Sequence, residues 1–162
     1  MKILIDTREQ NPFTFQGYDV TPETATLTVG DYSLPPLQYQ AAIERKSLDD
    51  LVGCLIGSNR ERFERELARG RHYDLFAVVV EASLADVSQA RYRSAMKPQA
   101  ALQSIVTFQV RYRVPFMWCG NRAGGQRRQA PGPGPHKEGA GGIPYLVASI
   151  PSSPGPGRGG HD

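Results

Sequence analysis

The chain is 162 residues long, 40% hydrophobic and 22% charged, with a formal net charge of +3. That length holds one domain with a core of its own, and nothing in it reads as a secretory leader or a membrane span. The positive balance does not argue for a general affinity for nucleic acid: residues 1–119 carry 14 Lys/Arg against 14 Asp/Glu, so the excess belongs wholly to residues 120–162.

Ile3-Leu4-Ile5 is a short apolar run that empties into Asp6-Thr7-Arg8-Glu9, a strand followed by a charged loop, with Asn11-Pro12 marking a turn. Ala25, Leu27 and Val29 alternate as a strand over 25–29, closing on Gly30-Asp31-Tyr32. A third strand runs over 39–44 into Glu44-Arg45-Lys46. Ser47 with Asp50 three residues on is a capping box. The stripe Leu48, Leu51, Val52, Leu55 and Ile56 predicts a helix ended by Gly57. Ser58 with Glu61 repeats the cap for a second, mostly charged helix over 59–71. Leu75–Val80 is a continuous β-branched run, the pattern of a strand covered on both faces. Lys97-Pro98 opens a helix carrying Leu102, Ile105, Gln109 and Tyr112, and Val114–Trp118 is the last strand. An opening meander followed by strand–helix alternation makes the class α/β, a mixed sheet between helices.

Past Gly120 the pattern stops. Residues 120–162 hold most of the glycines and more than half of the prolines. That composition predicts a disordered arm, or a tail produced by a changed reading frame near Gly124 in place of a final helix. The domain is therefore placed at 1–122 and the tail at 123–162. Cys54 and Cys119 lack a CxxC neighbour, and the histidines stand singly. The expectation is reduced thiols, at least one buried in a helix, and no zinc site.

The chemistry lies in two acidic stretches. Neither Gly30-Asp31-Tyr32 nor Glu44-Arg45-Lys46 means much alone, since Gly-Asp is common in turns and charged triplets are common on surfaces. Together, at the tips of neighbouring strands, Asp31 and Glu44 can reach one divalent cation, with the Arg45 carbonyl as a further oxygen. Lys46, two residues after Glu44, shares its face of the strand. There it can hold or help deprotonate an attacking water and offset charge on a phosphoryl transition state.

The ordered string Asp6-Thr7-Arg8-Glu9, Gly30-Asp31-Tyr32 and Glu44-Arg45-Lys46-Ser47-Leu48-Asp49-Asp50 closely resembles the nuclease domain of the XPF family of structure-specific DNA endonucleases, within the restriction-endonuclease-like superfamily. The resemblance runs from about residue 2 to about 122. It implies a restriction-endonuclease-like α/β fold and a Mg²⁺-dependent endonuclease, with Mn²⁺ as a substitute, acting on branched or flap DNA in repair or recombination. It also implies Asp31, Glu44 and Asp6 as metal ligands, Lys46 as catalytic, and Arg45, Glu9 and Asp50 as further active-site members. Arg8 and Arg60 are the expected DNA contacts. Asp50 is equally explained by the capping box, and Arg8 and Arg45 can be ion-pair partners of the acids as well as phosphate clamps. Arg62, Arg65 and Arg69 read as a solvated face.

The resemblance further implies DNA as the partner and a homo- or heterodimer formed through the nuclease domain. It fits a cytoplasmic setting, nucleoid-associated or nuclear according to source, with no membrane. The helix-hairpin-helix module that commonly follows in the family is not in this sequence. Two other functions compete. A catalytically inactive DNA-binding scaffold of the same fold would be expected to have lost Asp31, Glu44 or Lys46, and all three are present. A small-molecule phosphohydrolase would want a phosphate-cradling glycine loop in the body, and the glycines lie in the tail.

Overall fold

The computed structural model describes residues 1–15 and 18–120; the expectations for the tail fall outside the described residues. Six strands form one sheet in the order β2-β1-β3-β4-β5-β6. They are β1 (Lys2–Asp6), β2 (Thr21–Ala25), β3 (Tyr32–Ser33), β4 (Ala41–Lys46), β5 (Leu75–Val80) and β6 (Phe116–Trp118), joined by helices α1 (Leu48–Gly53), α2 (Gly57–Gly70), α3 (Leu84–Ser88) and α4 (Pro98–Tyr112). β3 runs antiparallel to both β1 and β4, whereas the β1–β2, β4–β5 and β5–β6 pairs are parallel. The mixed sheet with flanking helices is the α/β architecture expected.

The two faces of the sheet bury different cores. One takes Ala42, Val78 and Val80 from the strands, Leu51 and Leu55, Phe63 and Leu67 of α2, and Ile105 and Phe108 of α4. The other takes Ile3, Tyr32, Ile43 and Val79 against Phe15, Leu34 and Leu37. Strand alternation then decides the fate of the Glu-Arg-Lys triplet. Glu44 and Lys46 continue the Ala42 face toward α2, and Arg45 continues the Ile43 face away from it.

Several boundaries differ from expectation for identifiable reasons. The second strand is Thr21–Ala25, not 25–29. Leu27 and Val29 are buried as their alternation implied, at 3% exposure each. The Leu27 N–H, however, is taken by the Asp6 carboxylate at 2.7 Å, so this segment pairs with a side chain instead of a strand. β2 is a parallel edge strand, where Pro22 costs no ladder bond. α1 ends at Gly53, capped by Cys54, and α2 opens at Gly57 with Ile56 as N-cap, so the Ser58–Glu61 box is not used. Gly57 turns the chain there at φ 57°, and the Arg60 guanidinium donates back to the Leu55 carbonyl at 3.2 Å, fixing the helix entry two residues early. α3, which the periodicity had not revealed, is started by a capping box of Ser83 and Asp86. The last strand begins at Phe116, because Arg113 leaves α4 in the left-handed region at φ 56°. Both cysteines are free and half-buried, Cys54 at the end of α1 and Cys119 after β6, so neither thiol is buried within a helix.

Candidate active site

Asp31 does not end a strand; it immediately precedes β3. Because β3 is antiparallel to β4, that start lies beside the far half of β4, where Glu44 sits. The Asp31 N–H donates to the Ile43 carbonyl at 2.8 Å, and its Oδ2 accepts the Arg45 N–H at 2.8 Å. On the other side the Asp31 carbonyl accepts from the Asp6 N–H at 2.8 Å. Gly30 makes this approach possible. Its φ is 78°, and a Cβ there would stand 2.9 Å from the Ile43 carbonyl oxygen.

These strand tips open into a cleft of about 450 Å³ between the sheet and α1 and α2. Arg8, Gly30, Asp31, Glu44, Lys46 and Asp50 form its sheet-side and α1 lining, and Asn59, Arg62 and Glu66 its α2 wall. Five expected site residues therefore meet in one place: Asp31, Glu44, Lys46, Asp50 and Arg8.

The electrostatics of the cleft are short of positive charge. Glu44 is 3% exposed. Burial pushes its carboxyl well above the ordinary range, the Asp31 and Glu66 charges add to this, and Lys46 only partly opposes it. Burial likewise lifts Asp31 to about 6, against the Arg45 N–H and Lys46 and with the help of Glu9 and Glu66. Burial alone would lower the Lys46 ammonium, but its ion pair with Glu44 and the nearby Glu66 raise it instead. Lys46 also lies 5.4 Å from the Phe63 ring centroid, which holds the stem on the α2 side.

Glu66 is the residue that the sequence reading missed. Its carboxyl lies close enough to Glu44 to push that group's pKa up, and its charge also acts at Asp31, Lys46 and Arg8. Its helix looked uniformly charged; the available signal was that Glu66 lies three residues after Phe63, on a flank of the buried stripe.

Other expected site residues lie elsewhere. Asp6 is 2% exposed and does not line the cleft. Arg8 grips it at 2.6 and 3.1 Å, and the Arg8 and Leu27 N–H groups donate to it at 2.8 and 2.7 Å. Burial would raise this carboxyl, yet those four hydrogen bonds bring it below the ordinary value. Its oxygens are committed to holding Arg8 and the 26–29 segment, an arrangement that does not present Asp6 as a ligand in the cleft. Glu9 and Arg45 sit beneath the sheet. Arg45 Nη1 is 3.3 Å from both Glu9 oxygens, Nη2 is 2.7 Å from Glu81, and the guanidinium lies 5.3 Å from the Phe13 ring centroid. Side-chain alternation put this pair on the face opposite Glu44. Asp50 is exposed at the cleft, and its Oδ2 accepts from the Ser47 hydroxyl at 2.6 Å, so it is both cap and lining.

Arg60 is turned away from the cleft. It binds Glu64 at 3.1 Å and Ser104 at 3.2 Å and lies 4.7 Å from the Phe108 ring centroid, clamping α2 to α4. The arginine of α2 that reaches the cleft is Arg62.

A dication is the natural complement of this site. Five acids line the cleft (Asp31, Glu44, Asp49, Asp50 and Glu66) against three cations (Arg8, Lys46 and Arg62), and Mg²⁺ typically takes one or two protein carboxylates and completes its shell with water and phosphate oxygens. Among the described residues no group of three or more His, Cys, Asp or Glu side chains is arranged to hold a metal ion.

The fold is that of an XPF-type nuclease domain. The chain belongs to the ERCC4 domain family, whose model matches residues 5–124. It is similar in structure to XPF from Aeropyrum pernix, with a TM-score of 0.58 and 20% identity over 75% of this chain and 57% of that one. The same archaeal protein in complex with DNA matches with a TM-score of 0.58 and 22% identity over 74% of this chain and 56% of that one. The chain thus spans a little over half the length of those structures. No curated protein sequence matches it, and no helix among the described residues is long and apolar enough to cross a membrane.

Proposed function

We propose that this chain is a divalent-metal-dependent DNA endonuclease, cutting phosphodiester bonds at branched or flap structures, with residues 1–122 as the nuclease domain. One observation carries the reading: the Asp31 and Glu44 carboxylates, brought side by side where β3 begins against β4, open with Lys46 into a single cleft whose acids outnumber its cations. Asp31 and Glu44 would hold the ion. Mg²⁺ or Mn²⁺ bound there would lower the pKa of an attacking water and offset charge at the phosphate.

The protein supplies the rest. Lys46, held charged at neutral pH by Glu44 and Glu66, would donate to phosphate oxygens and stabilise their growing charge. Glu66 adds a third acidic group from the helix side, whose repulsion of Glu44 a bound cation would relieve. Arg8, with its side chain 68% exposed at the cleft and anchored by Asp6, offers a guanidinium to the substrate backbone. The Arg45–Glu9–Glu81 network holds β4 from below, so that Glu44 and Lys46 keep their places.

The test is a cleavage panel on linear, nicked, flap, fork and four-way DNA with Mg²⁺, with Mn²⁺ and with EDTA. Cutting is expected with either metal, strongest on flap or fork DNA, and absent in EDTA. Metal-independent cutting, or none on any substrate with either ion, would overturn the reading.

A further inference from the structure

We infer that the outer edge of α2, from Arg62 through Arg65 to Arg69, is a track for the sugar-phosphate backbone of DNA leaving the cleft. The inference rests on the nuclease reading above and names the surface by which that activity would hold its substrate. All three arginines are exposed, and none forms an ion pair with another described residue.

The acids of the same helix are turned off this edge. Glu64 faces inward, taking Arg60 and the Tyr112 hydroxyl. Glu66 faces the cleft beside Glu44. Only Glu61 remains exposed beside the three. An ordinary solvated helix face interleaves its charges, and this one leaves three arginines beside a single glutamate.

The geometry suits a nucleic-acid strand. At 3.6 residues per turn the three positions share about 60° of the helix circumference, and Arg62 to Arg69 spans about 10 Å of its axis. Roughly three phosphates of one strand lie along that length of duplex. The ridge begins where it is needed, because Arg62 itself lines the cleft that holds Asp31 and Glu44. Guanidinium forks in this arrangement would grip phosphate oxygens without reading bases.

Binding of a fluorescein-labelled flap duplex, measured by anisotropy in EDTA with the full chain carrying Asp31→Asn, tests this. Arg62→Gln/Arg65→Gln/Arg69→Gln should weaken binding by about tenfold or more at about 50 mM salt. It should also flatten the slope of log affinity against log salt by about 2–3. The corresponding triple Lys variant should keep most of that slope, and a control of equal charge on and after α4 (Lys97→Gln/Arg111→Gln/Arg113→Gln) should change it by less than half as much. The track is overturned if the ridge triple binds within about twofold of its parent, if the control loses as much, or if the Lys triple behaves like the Gln triple. Cleavage by the parent and by Asp31→Asn, run alongside in Mg²⁺, separates the two readings. No cutting by the parent sinks the nuclease reading and cutting that survives Asp31→Asn sinks its metal site, whereas cutting that depends on Asp31 with an unaltered ridge triple removes only the track.

Discussion

Asp31→Asn or Glu44→Gln abolishes strand cleavage, with the rate falling by about 1,000-fold or more, the scale on which a preorganised charge at a reacting centre is lost. Each substitution keeps the shape and removes one anionic oxygen pair from the cleft. Asn at 31 retains a side-chain oxygen for the Arg45 N–H at 2.8 Å, so the β3–β4 junction is preserved. Gln at 44 retains an acceptor for the Lys46 ammonium. The loss is therefore one of function and not of fold. Single-turnover cleavage of a labelled flap in Mg²⁺, beside circular dichroism of each variant, measures it. Parent-like cutting by the doubly substituted protein would remove both residues from the site.

The second large effect is on stability in the absence of metal. A carboxyl whose folded pKa is raised binds its proton more tightly in the native state than in the unfolded chain. By linkage it makes folding less favourable as pH rises from the unfolded value through the folded one. For Asp31 that window runs from 3.8 to about 6, and Glu44, raised well above its ordinary value by burial, carries it higher. Metal-free protein should lose on the order of 2–3 kcal/mol for Asp31 alone on passing from acid to neutral pH, a drop of roughly 5–10 °C in Tm.

Asp6 acts with the opposite sign, because its lowered carboxyl supports folding above the ordinary value and loses that support only as pH falls below it. Lys46, raised, loses its contribution only at strongly alkaline pH. The fall that begins at 3.8, and that Glu44 carries beyond the Asp31 value of about 6, therefore belongs to the cleft acids. Mg²⁺ or Mn²⁺ should restore stability more at pH 8 than at pH 5, following RT ln(1 + [L]/Kd). Asp31→Asn should raise the metal-free Tm at pH 8 and blunt the metal response. Thermal melts across pH with and without Mn²⁺ decide this, and a flat profile that ignores the ion would contradict it.

The central pair was legible because strand periodicity is rigid. Once Glu44 was placed on a strand, Lys46 had to share its face, and the same rule put Arg45 on the other side. The resemblance implies Arg45 and Glu9 as active-site members, whereas strand alternation turns Arg45 away from Glu44. Long-range pairing was harder to see. The Ala25–Leu27–Val29 alternation reports burial correctly, but no local pattern says that a buried carboxylate, Asp6, will take the Leu27 N–H. Arg60 and Arg62 are equivalent in composition, and only the placement of Phe108 and Ser104 on α4 turns one inward and leaves the other at the cleft. Glu66 depended on where α2 lies over the sheet, which follows from the packing of Phe63 and Leu67. The capping box of α3 was readable from Ser83 and Asp86, but the helix behind it was too short to show a period.

The most direct measurement is anomalous diffraction from crystals soaked in Mn²⁺. The account predicts one peak in the cleft at ligand distance from both the Asp31 and the Glu44 carboxylates, beside the Lys46 ammonium. No peak there, or a peak that leaves either carboxylate uncoordinated, would contradict it.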